Sequence, residues 1–209
     1  PGDHLVQRGS MARRHRGLAV AVAVTCAVSW MGAGPGVAQE ATTAEAEGVV
    51  AVIGDSLVVQ ARDQLPHRVW ARNGRELAGS PKLVRRIARI AEVRVLVIAV
   101  GSVDVANHIS RAEMRDRIDR VIAEVASVPC VLFVDVKVAG VSPWYNGDWE
   151  RDASRWNEAL AASGEPVANW NGVAQQHDDY FLGDGIHFTD VGTTAYADFL
   201  SAQVSTHCP

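Results

Sequence analysis

The chain has 209 residues, of which 48% are hydrophobic and 21% are charged, and its formal net charge is −4. Residues 1–38 contain four arginines and one aspartate, so the remainder has 16 Lys and Arg residues against 23 Asp and Glu residues, a net charge of −7. This length fits one domain with a full-sized hydrophobic core. The acidic balance argues against nucleic acid or an anionic membrane surface as a partner.

The first 48 residues are expected to lie outside that domain. The stretch "LVQRGS" before Met11 is typical of a protease-cleavable expression tag, which we assign to residues 1–10. Residues 11–38 have the layout of a secretory signal peptide: a basic start, an apolar run over 18–31, and small residues ending at Ala38. A membrane anchor is the alternative, but this run is short against the ~20 residues of a spanning helix. We expect cleavage near Ala38, a secreted or cell-envelope location, and a flexible lead-in over 39–48.

From residue 49 onward, short apolar segments alternate with amphipathic ones. Strands are predicted over 49–54, 68–71, 93–101, 130–138 and 166–170, and longer helices over 80–92, 110–127, 148–163 and 191–205. Ser110, followed three residues later by Glu113, indicates a capped helix start. Because the strands are apolar throughout, we expect both of their faces to be buried. The alternation with helices predicts an α/β fold, in which a five-stranded parallel sheet lies between two helical layers.

Two segments, one at each end of this domain, together contain a candidate serine nucleophile, a histidine base and an orienting carboxylate. Ser56 follows the first strand in "IGDSL", where ligands bind in parallel α/β sheets. Asp184 and His187 stand three residues apart in "DGIHFT", just before the last helix. A serine hydroxyl needs a base, and the base needs an orienting group. We expect Asp184 to hold His187 while the second ring nitrogen faces Ser56.

These blocks resemble the SGNH (GDSL-type) family of serine esterases and acyltransferases over residues 49 to about 205. The resemblance implies a flavodoxin-like α/β/α sandwich and a catalytic triad of Ser56, Asp184 and His187. The closing stretch "WNGVAQQHDDYFLGDGIHFT" is most similar to bacterial SGNH domains linked to acylation of cell-surface glycans. No cofactor or metal is implied, and we expect a monomer that acts on acyl esters, including those of glycans or lipids.

The same resemblance implies an oxyanion hole, in which one position departs from the family pattern. The backbone amides of Ser56 and Gly74 are the expected donors. The family has Gly-x-Asn-Asp after its third core strand, whereas this chain has "GSVD", with Val103 at the asparagine. Valine cannot donate a hydrogen bond, and loss of one such donor costs about 10²–10³ in rate. Asn107, four residues later, is a candidate substitute.

Further residues are expected near the cleft. Asp55, beside the nucleophile, and the aromatic residues Trp144 and Tyr145, which follow the fourth core strand, are assigned to the substrate cleft. These two rings and that of Trp149 could stack on a sugar or cover an acyl chain, and packing of the loop onto the core is the alternative. The cluster "QHDD" at 176–179 could be read as a metal site, but it has no recognised ligand spacing, and we expect a solvated loop.

Two cysteines lie within the expected domain, Cys130 and Cys208. In an exported protein they would pair and tie the C-terminus to the start of a core strand, and two separate thiols are the alternative. The leading functional hypothesis is a secreted serine esterase acting on short-chain acyl esters. Transfer of the acyl group to a glycan hydroxyl is the second hypothesis. A catalytically weakened binding module, motivated by Val103, is the third.

Overall fold

A computed structural model describes residues 48–142 and 147–209 of the chain. The predicted expression tag, signal peptide and nearly all of the lead-in lie outside these residues, as do Trp144 and Tyr145. Five strands form one parallel sheet: β1 (Val49–Gly54), β2 (Arg68–Ala71), β3 (Val93–Ala99), β4 (Cys130–Val134) and β5 (Val167–Ala168). Their order across the sheet is β2-β1-β3-β4-β5. The predicted five-stranded parallel sheet is confirmed.

Helices cover both faces of this sheet. Short helices are α1 (Ser56–Ala61), α3 (Ser102–Ala106) and α6 (Trp170–Ala174), and longer ones are α2 (Pro81–Ala88), α4 (Arg111–Val125), α5 (Trp149–Ala161) and α7 (Asp190–His207). One hydrophobic cluster packs α2, α3, α4 and α5 against one face of the sheet. A second cluster packs α1, α6 and α7 against the opposite face. Within β3, Leu96 and Ile98 belong to the first cluster and Val95 and Val97 to the second. This division explains the uninterrupted apolar strands, because each face of the sheet contacts its own helical layer.

The longer helices follow their predicted positions, and two of them have side-chain caps at their starts. The Ser110 side chain accepts from the amide of Glu113 at the start of α4. The Thr189 side chain accepts from the amide of Gly192 at the start of α7. Such caps satisfy amides that have no partner in the first turn of a helix.

The ends of three predicted strands need correction, since β3, β4 and β5 each stop earlier than predicted. Beyond β4 the backbone of Val136 exchanges two hydrogen bonds, of 3.0 and 2.8 Å, with the side-chain amide of Asn157. The amide of Val138 donates to the Asn171 side chain at 2.8 Å. Side chains of neighbouring helices therefore replace the adjacent strand, and an apolar sequence alone does not reveal where that exchange begins.

The strand order places a topological switch point between β1 and β3. From β1 the chain passes to β2 on one side, and β3 then lies on the other side of β1. The loops leaving the carboxyl ends of these two strands diverge and leave a crevice, where α/β proteins bind ligands. Within the described ranges, no helix is long and apolar enough to cross a membrane.

Candidate active site

The nucleophile candidate Ser56 is the first residue of α1, and only Asp55 separates it from the end of β1. The Asp55 side chain caps this helix by accepting from the amide of Leu57 at 3.1 Å. A Cβ on Gly54 would lie 2.1 Å from a methyl carbon of Val58, so α1 packs too closely on the end of β1 for a larger residue. The Gly-Asp-Ser junction therefore turns the chain tightly and leaves the Ser56 hydroxyl beyond the edge of the sheet.

The acid and the base lie on one loop between two phenylalanines. Phe181 and Phe188 form an antiparallel bridge that closes the loop, and the amide of Leu182 donates to the carbonyl of His187 at 2.7 Å. Inside it, the Asp184 carboxylate accepts from the amides of Ile186 and His187, each at 2.9 Å. These local hydrogen bonds fix the acid and the base relative to each other.

Gln60 joins this loop to the nucleophile helix. Its side-chain oxygen accepts from the amide of Phe188 at 3.1 Å, and its side-chain nitrogen donates to the carbonyl of Phe188 at 3.4 Å. Gln60 stands four residues after Ser56, hence on the same face of α1. The residue that follows His187 is thereby held against the helix that starts at Ser56.

The three side chains form a continuous chain of hydrogen bonds. His187 Nε2 lies 3.1 Å from Ser56 Oγ, and His187 Nδ1 lies 2.7 Å from Asp184 Oδ2. Partial burial disfavours the charged carboxylate of Asp184, but hydrogen bonds from His187 and two backbone amides outweigh it and lower the pKa of Asp184. An ionised Asp184 only accepts, so the proton of the neutral imidazole belongs on Nδ1 and the lone pair of Nε2 faces the Ser56 hydroxyl.

The two residues whose backbone amides are expected to form an oxyanion hole, Ser56 and Gly74, line the same cleft. Gly74 lies on the cleft wall with Ser56 and has a positive φ of 67°. Within the part of the chain that the structure describes, neither the Ser56 amide nor the Gly74 amide donates to a protein acceptor. Val103 lines the same cleft from α3, so an apolar side chain occupies the wall where the family pattern has a donor.

Two site assignments from the sequence need correction. Asn107 is exposed at the end of α3 and is not among the residues that line the cleft. Asp55 is only 1% exposed, and its carboxylate accepts from the Ser102 hydroxyl at 2.8 Å as well as from the amide of Leu57. Burial raises the pKa of Asp55, and these hydrogen bonds oppose the shift. Asp55 therefore holds α1 and α3 together beneath the cleft.

The cleft around Ser56 has a volume of about 520 Å³, enough for a small acyl group with part of its alcohol. Its lining comprises Ser56, Val59, Gln60, Asn73, Gly74, Ser102, Val103, Ala106, Ile186 and His187. Sequence reasoning missed Gln60, Asn73, Ser102 and Ile186. Gln60 could have been found by extending the helical period from Ser56, and Asn73 by its position beside Gly74.

Other candidate features lie away from this chemistry. Trp149 is 3% exposed and donates from Nε1 to the carbonyl of Lys137 at 2.9 Å, which identifies it as a core residue. His177 stacks on Tyr180, with ring centroids 4.2 Å apart. Among residues 48–142 and 147–209, no group of three or more His, Cys, Asp or Glu side chains could hold a metal ion.

A second groove, of about 660 Å³, runs along α7 and is larger than the cleft at Ser56. It is lined by Val173, Tyr180, Val191, Thr194, Ala195, Asp198, Phe199 and Ala202. It contains no member of the hydrogen-bonded chain at Ser56. We therefore place the chemistry in the smaller cleft.

No protein-family model matches the sequence, and no curated protein sequence matches it. Solved structures do match. The C-terminal catalytic domain of peptidoglycan O-acetyltransferase A from Streptococcus pneumoniae, solved with a methylsulfonyl adduct, has a TM-score of 0.61 and 20% identity, over 77% of this chain and 94% of that chain.

Two further structures support the same fold. A lipase/acylhydrolase from Enterococcus faecalis has a TM-score of 0.61 and 17% identity, over 76% of this chain and 96% of that chain. A GDSL-like lipase from Bacteroides thetaiotaomicron has a TM-score of 0.58 and 17% identity, over 77% and 89% of the two chains. The resemblance to SGNH (GDSL-type) proteins is thus confirmed at the level of the fold.

Proposed function

We propose that this protein is a serine esterase that hydrolyses short-chain acyl esters through an acyl-enzyme at Ser56. The observation that carries the proposal is the chain of hydrogen bonds from Ser56 through His187 to Asp184, at the switch point of the sheet. A serine, a histidine and an orienting carboxylate in this geometry are the groups that acyl transfer requires. The acylhydrolase and lipase among the structures of the same fold agree with this chemistry.

In the first step, Ser56 Oγ attacks the ester carbonyl carbon while its proton passes to His187 Nε2. The amides of Ser56 and Gly74 donate to the carbonyl oxygen as it becomes negative. Collapse of the tetrahedral intermediate breaks the bond to the alcohol, which leaves with the proton from His187. Water then attacks the acyl-serine with His187 as general base, and Asp184 stabilises the imidazolium in both steps.

Hydrolysis of p-nitrophenyl acetate tests the proposal. Ser56→Ala should abolish hydrolysis above the background of water. Ser205→Ala, on the exposed surface of α7, is the matched control and should keep the wild-type rate. A fluorophosphonate probe should label the wild-type protein once per chain at Ser56. Equal rates for Ser56→Ala and wild type, with no labelling, would leave the binding-module hypothesis in place of the esterase.

Acyl transfer to a glycan hydroxyl is the second candidate, favoured by the shared fold with the catalytic domain of a peptidoglycan O-acetyltransferase. The acyl-enzyme would form in the same way, and a sugar hydroxyl would replace water in the second step. Mass spectrometry of products formed from p-nitrophenyl acetate and a chitooligosaccharide separates the two. Acetylated oligosaccharide in excess of free acetate would assign transfer.

We also propose that the protein acts outside the cytoplasm. The disulfide between Cys130 and Cys208 supports an oxidising compartment. Expression of the full chain in a secreting host should release a protein whose N-terminal residue lies near Gln39. Retention of the whole N-terminal segment in a cytoplasmic fraction would contradict this part of the proposal.

A further inference from the structure

Few of the described side chains that line the cleft could donate to a developing oxyanion, and most of these already have partners. Both ends of the Gln60 side-chain amide bond to the backbone of Phe188. The Ser102 hydroxyl donates to the carboxylate of Asp55. His187 bonds to the other two members of the triad through its ring nitrogens. The side chains of Gln60, Ser102 and His187 are therefore already engaged in hydrogen bonds within the site.

Among the described residues that line the cleft, Asn73 is the remaining side-chain amide. It is exposed, it lines the cleft beside Gly74, and no hydrogen bond to it is found in the described ranges. Its NH₂ group is a two-proton donor. Val103, on another wall of the same cleft, leaves the position of the family asparagine without a donor. Within residues 48–142 and 147–209, the cleft therefore combines an apolar residue at the expected donor position with an asparagine amide that has no hydrogen-bond partner.

The turn that presents Asn73 is tied to the strand that delivers Ser56. The amide of Arg75 donates to the carbonyl of Arg72 at 3.3 Å, which closes a four-residue turn with Asn73 and Gly74 at its centre. The positive φ of Gly74 is the conformation that glycine adopts at the third position of such a turn. Both flanking arginines also bind the carbonyl of Gly54, through the Arg72 amide at 3.1 Å and Arg75 Nε at 3.0 Å.

A second anchor holds the far side of this turn. The amide of Leu77 donates to the buried carboxylate of Asp104 at 2.9 Å, and Arg117 bonds to both Asp104 and Glu76. The turn is thus fixed to the end of β1, the strand that leads into Ser56, and to α3, the helix that contains Val103. A donor on such a turn is positioned before the reaction, as electrostatic stabilisation of an oxyanion requires.

We propose that the side-chain NH₂ of Asn73 is the third oxyanion donor of this protein and replaces the asparagine that Val103 displaces. The inference rests on the proposed serine-esterase chemistry at Ser56. When Ser56 Oγ bonds to the carbonyl carbon and its proton moves to His187, the carbonyl oxygen takes the electron pair of its π bond. The amides of Ser56 and Gly74 and the Asn73 side chain then donate to that oxygen.

The test is a double-mutant cycle on Asn73→Ala and Val103→Asn with p-nitrophenyl acetate. Asn73→Ala should lower kcat by about 10²-fold with little change in KM, because the donor acts on the transition state. Val103→Asn should raise kcat less than threefold in the wild-type background and at least tenfold in Asn73→Ala, since it supplies the missing donor there. The same factor in both backgrounds would show independent side chains and overturn the proposal.

An inhibitor that mimics the intermediate distinguishes donation from a structural effect of the turn. Ser56 Oγ adds to the carbonyl carbon of a trifluoromethyl ketone, and the resulting hemiketal places a negative oxygen in the oxyanion hole. The ketone's inhibition constant should rise in Asn73→Ala by the same factor by which kcat/KM falls. In the double variant the inhibition constant should return toward the wild-type value. Asn107→Ala, the same substitution at the exposed asparagine outside the cleft, should leave both constants within twofold.

Two outcomes separate this inference from the function on which it rests. If Ser56→Ala abolishes hydrolysis and Asn73→Ala changes kcat less than threefold, the inference is wrong and the esterase assignment stands. If Ser56→Ala retains the wild-type rate, the esterase assignment fails first. A loss in Asn107→Ala in place of Asn73→Ala would move the donor to α3 and also overturn the proposal.

Discussion

The ammonium group of Lys137 donates a hydrogen bond of 3.2 Å to the carbonyl of Gly185, which lies between Asp184 and His187 in the chain. Lys137 is only 7% exposed, and its Nζ atom lies 3.7 Å from the ring centroid of Phe181. Burial lowers the pKa of Lys137, and the carboxylates of Asp178 and Asp184 oppose this shift. The buried ammonium group of Lys137 therefore anchors the loop that contains Asp184 and His187 through the carbonyl of Gly185.

Replacement of Lys137 by Met should weaken catalysis. The carbonyl of Gly185 would lose its donor, so the loop could shift away from the position that aligns His187 with Ser56. We expect kcat to fall roughly tenfold, since misplacement of about 1 Å can cost up to 10² in rate. Lys137→Arg, which keeps a charged donor, is the control and should retain more than half of wild-type kcat. Wild-type kcat in Lys137→Met, with unchanged circular dichroism, would show that the loop is rigid without this contact.

Replacement of Arg117 by Met should destabilise the fold and the turn at Gly74. Arg117 contacts the buried Asp104 at 2.6 Å and Glu76 at 3.0 Å. Removal of one partner leaves a buried carboxylate uncompensated, which costs about 3–5 kcal/mol. Arg120→Met on the same helix is the matched control, because the Arg120–Asp116 pair is exposed and contributes about 0.5 kcal/mol. Urea unfolding measures both, and equal losses would contradict a special role for Arg117.

The disulfide between Cys130 and Cys208, whose Cα atoms lie 5.8 Å apart, should stabilise the fold without affecting the site. It closes a separation of 78 residues, worth about 4 kcal/mol as an upper figure in the chain-entropy model. Cys130 begins β4, whereas Ser56 follows the end of β1, so the bond lies at the opposite edge of a parallel sheet.

The double substitution Cys130→Ala and Cys208→Ala should therefore lower the melting temperature by several degrees and leave hydrolysis at 25 °C within twofold of wild type. Wild-type protein treated with a reductant serves as the second sample and should behave in the same way. A large loss of activity in a sample that is still folded at 25 °C would show that the bond also supports the cleft.

Asp135, at the end of β4, predicts a specific dependence of stability on pH. Burial raises the pKa of Asp135 to about 6, and hydrogen bonds from the amides of Asn171 and Trp170 oppose the shift. The folded protein thus holds this proton more tightly than the unfolded chain does. The protonated Asp135 contributes fully to the free energy of unfolding below the pKa of the unfolded chain. This free energy then falls as the pH rises toward 6. Asp55 and Tyr196 line the same small cavity.

Asp135→Asn removes this titration and keeps an oxygen that can accept from Asn171. The variant should gain stability over wild type between about pH 4 and pH 7, on the order of 2 kcal/mol. Urea unfolding of both proteins at the two pH values measures the difference, in which the unchanged contributions of Asp55 and Tyr196 cancel. A difference that is the same at both pH values would mean that Asp135 is already ionised at the lower one.

Local sequence determined the elements that depend on a single physical rule. The strands of the central sheet were predicted because neighbouring residues such as Leu96 and Val97, which lie on opposite faces of β3, are both apolar. Only a sheet between two helical layers buries both faces. The cap at Ser110 was readable because it involves residues three apart. The pairing of Cys130 with Cys208 was expected for an exported protein and is present in the structure.

Tertiary structure decided where elements end and which side chains face the cleft. The Asn157 side chain ends the strand pairing beyond β4, and although its helix was predicted, no local pattern shows that this side chain reaches Val136. Asp55 adjoins Ser56, but its carboxylate turns inward to Ser102, 47 positions away in the chain.

The site itself shows the same division. The motifs around Ser56 and His187 predicted the proposed reacting groups, because a nucleophile, a base and an acid have few possible identities. Their contact spans 131 positions and depends on Gln60 holding Phe188 against α1. Asn73 adjoins the expected donor Gly74, and Asn107 stands four residues after Val103, so sequence alone does not decide which asparagine faces the cleft. Only packing separates them, because the turn at Gly74 is bound to the end of β1 and the end of α3 faces solvent.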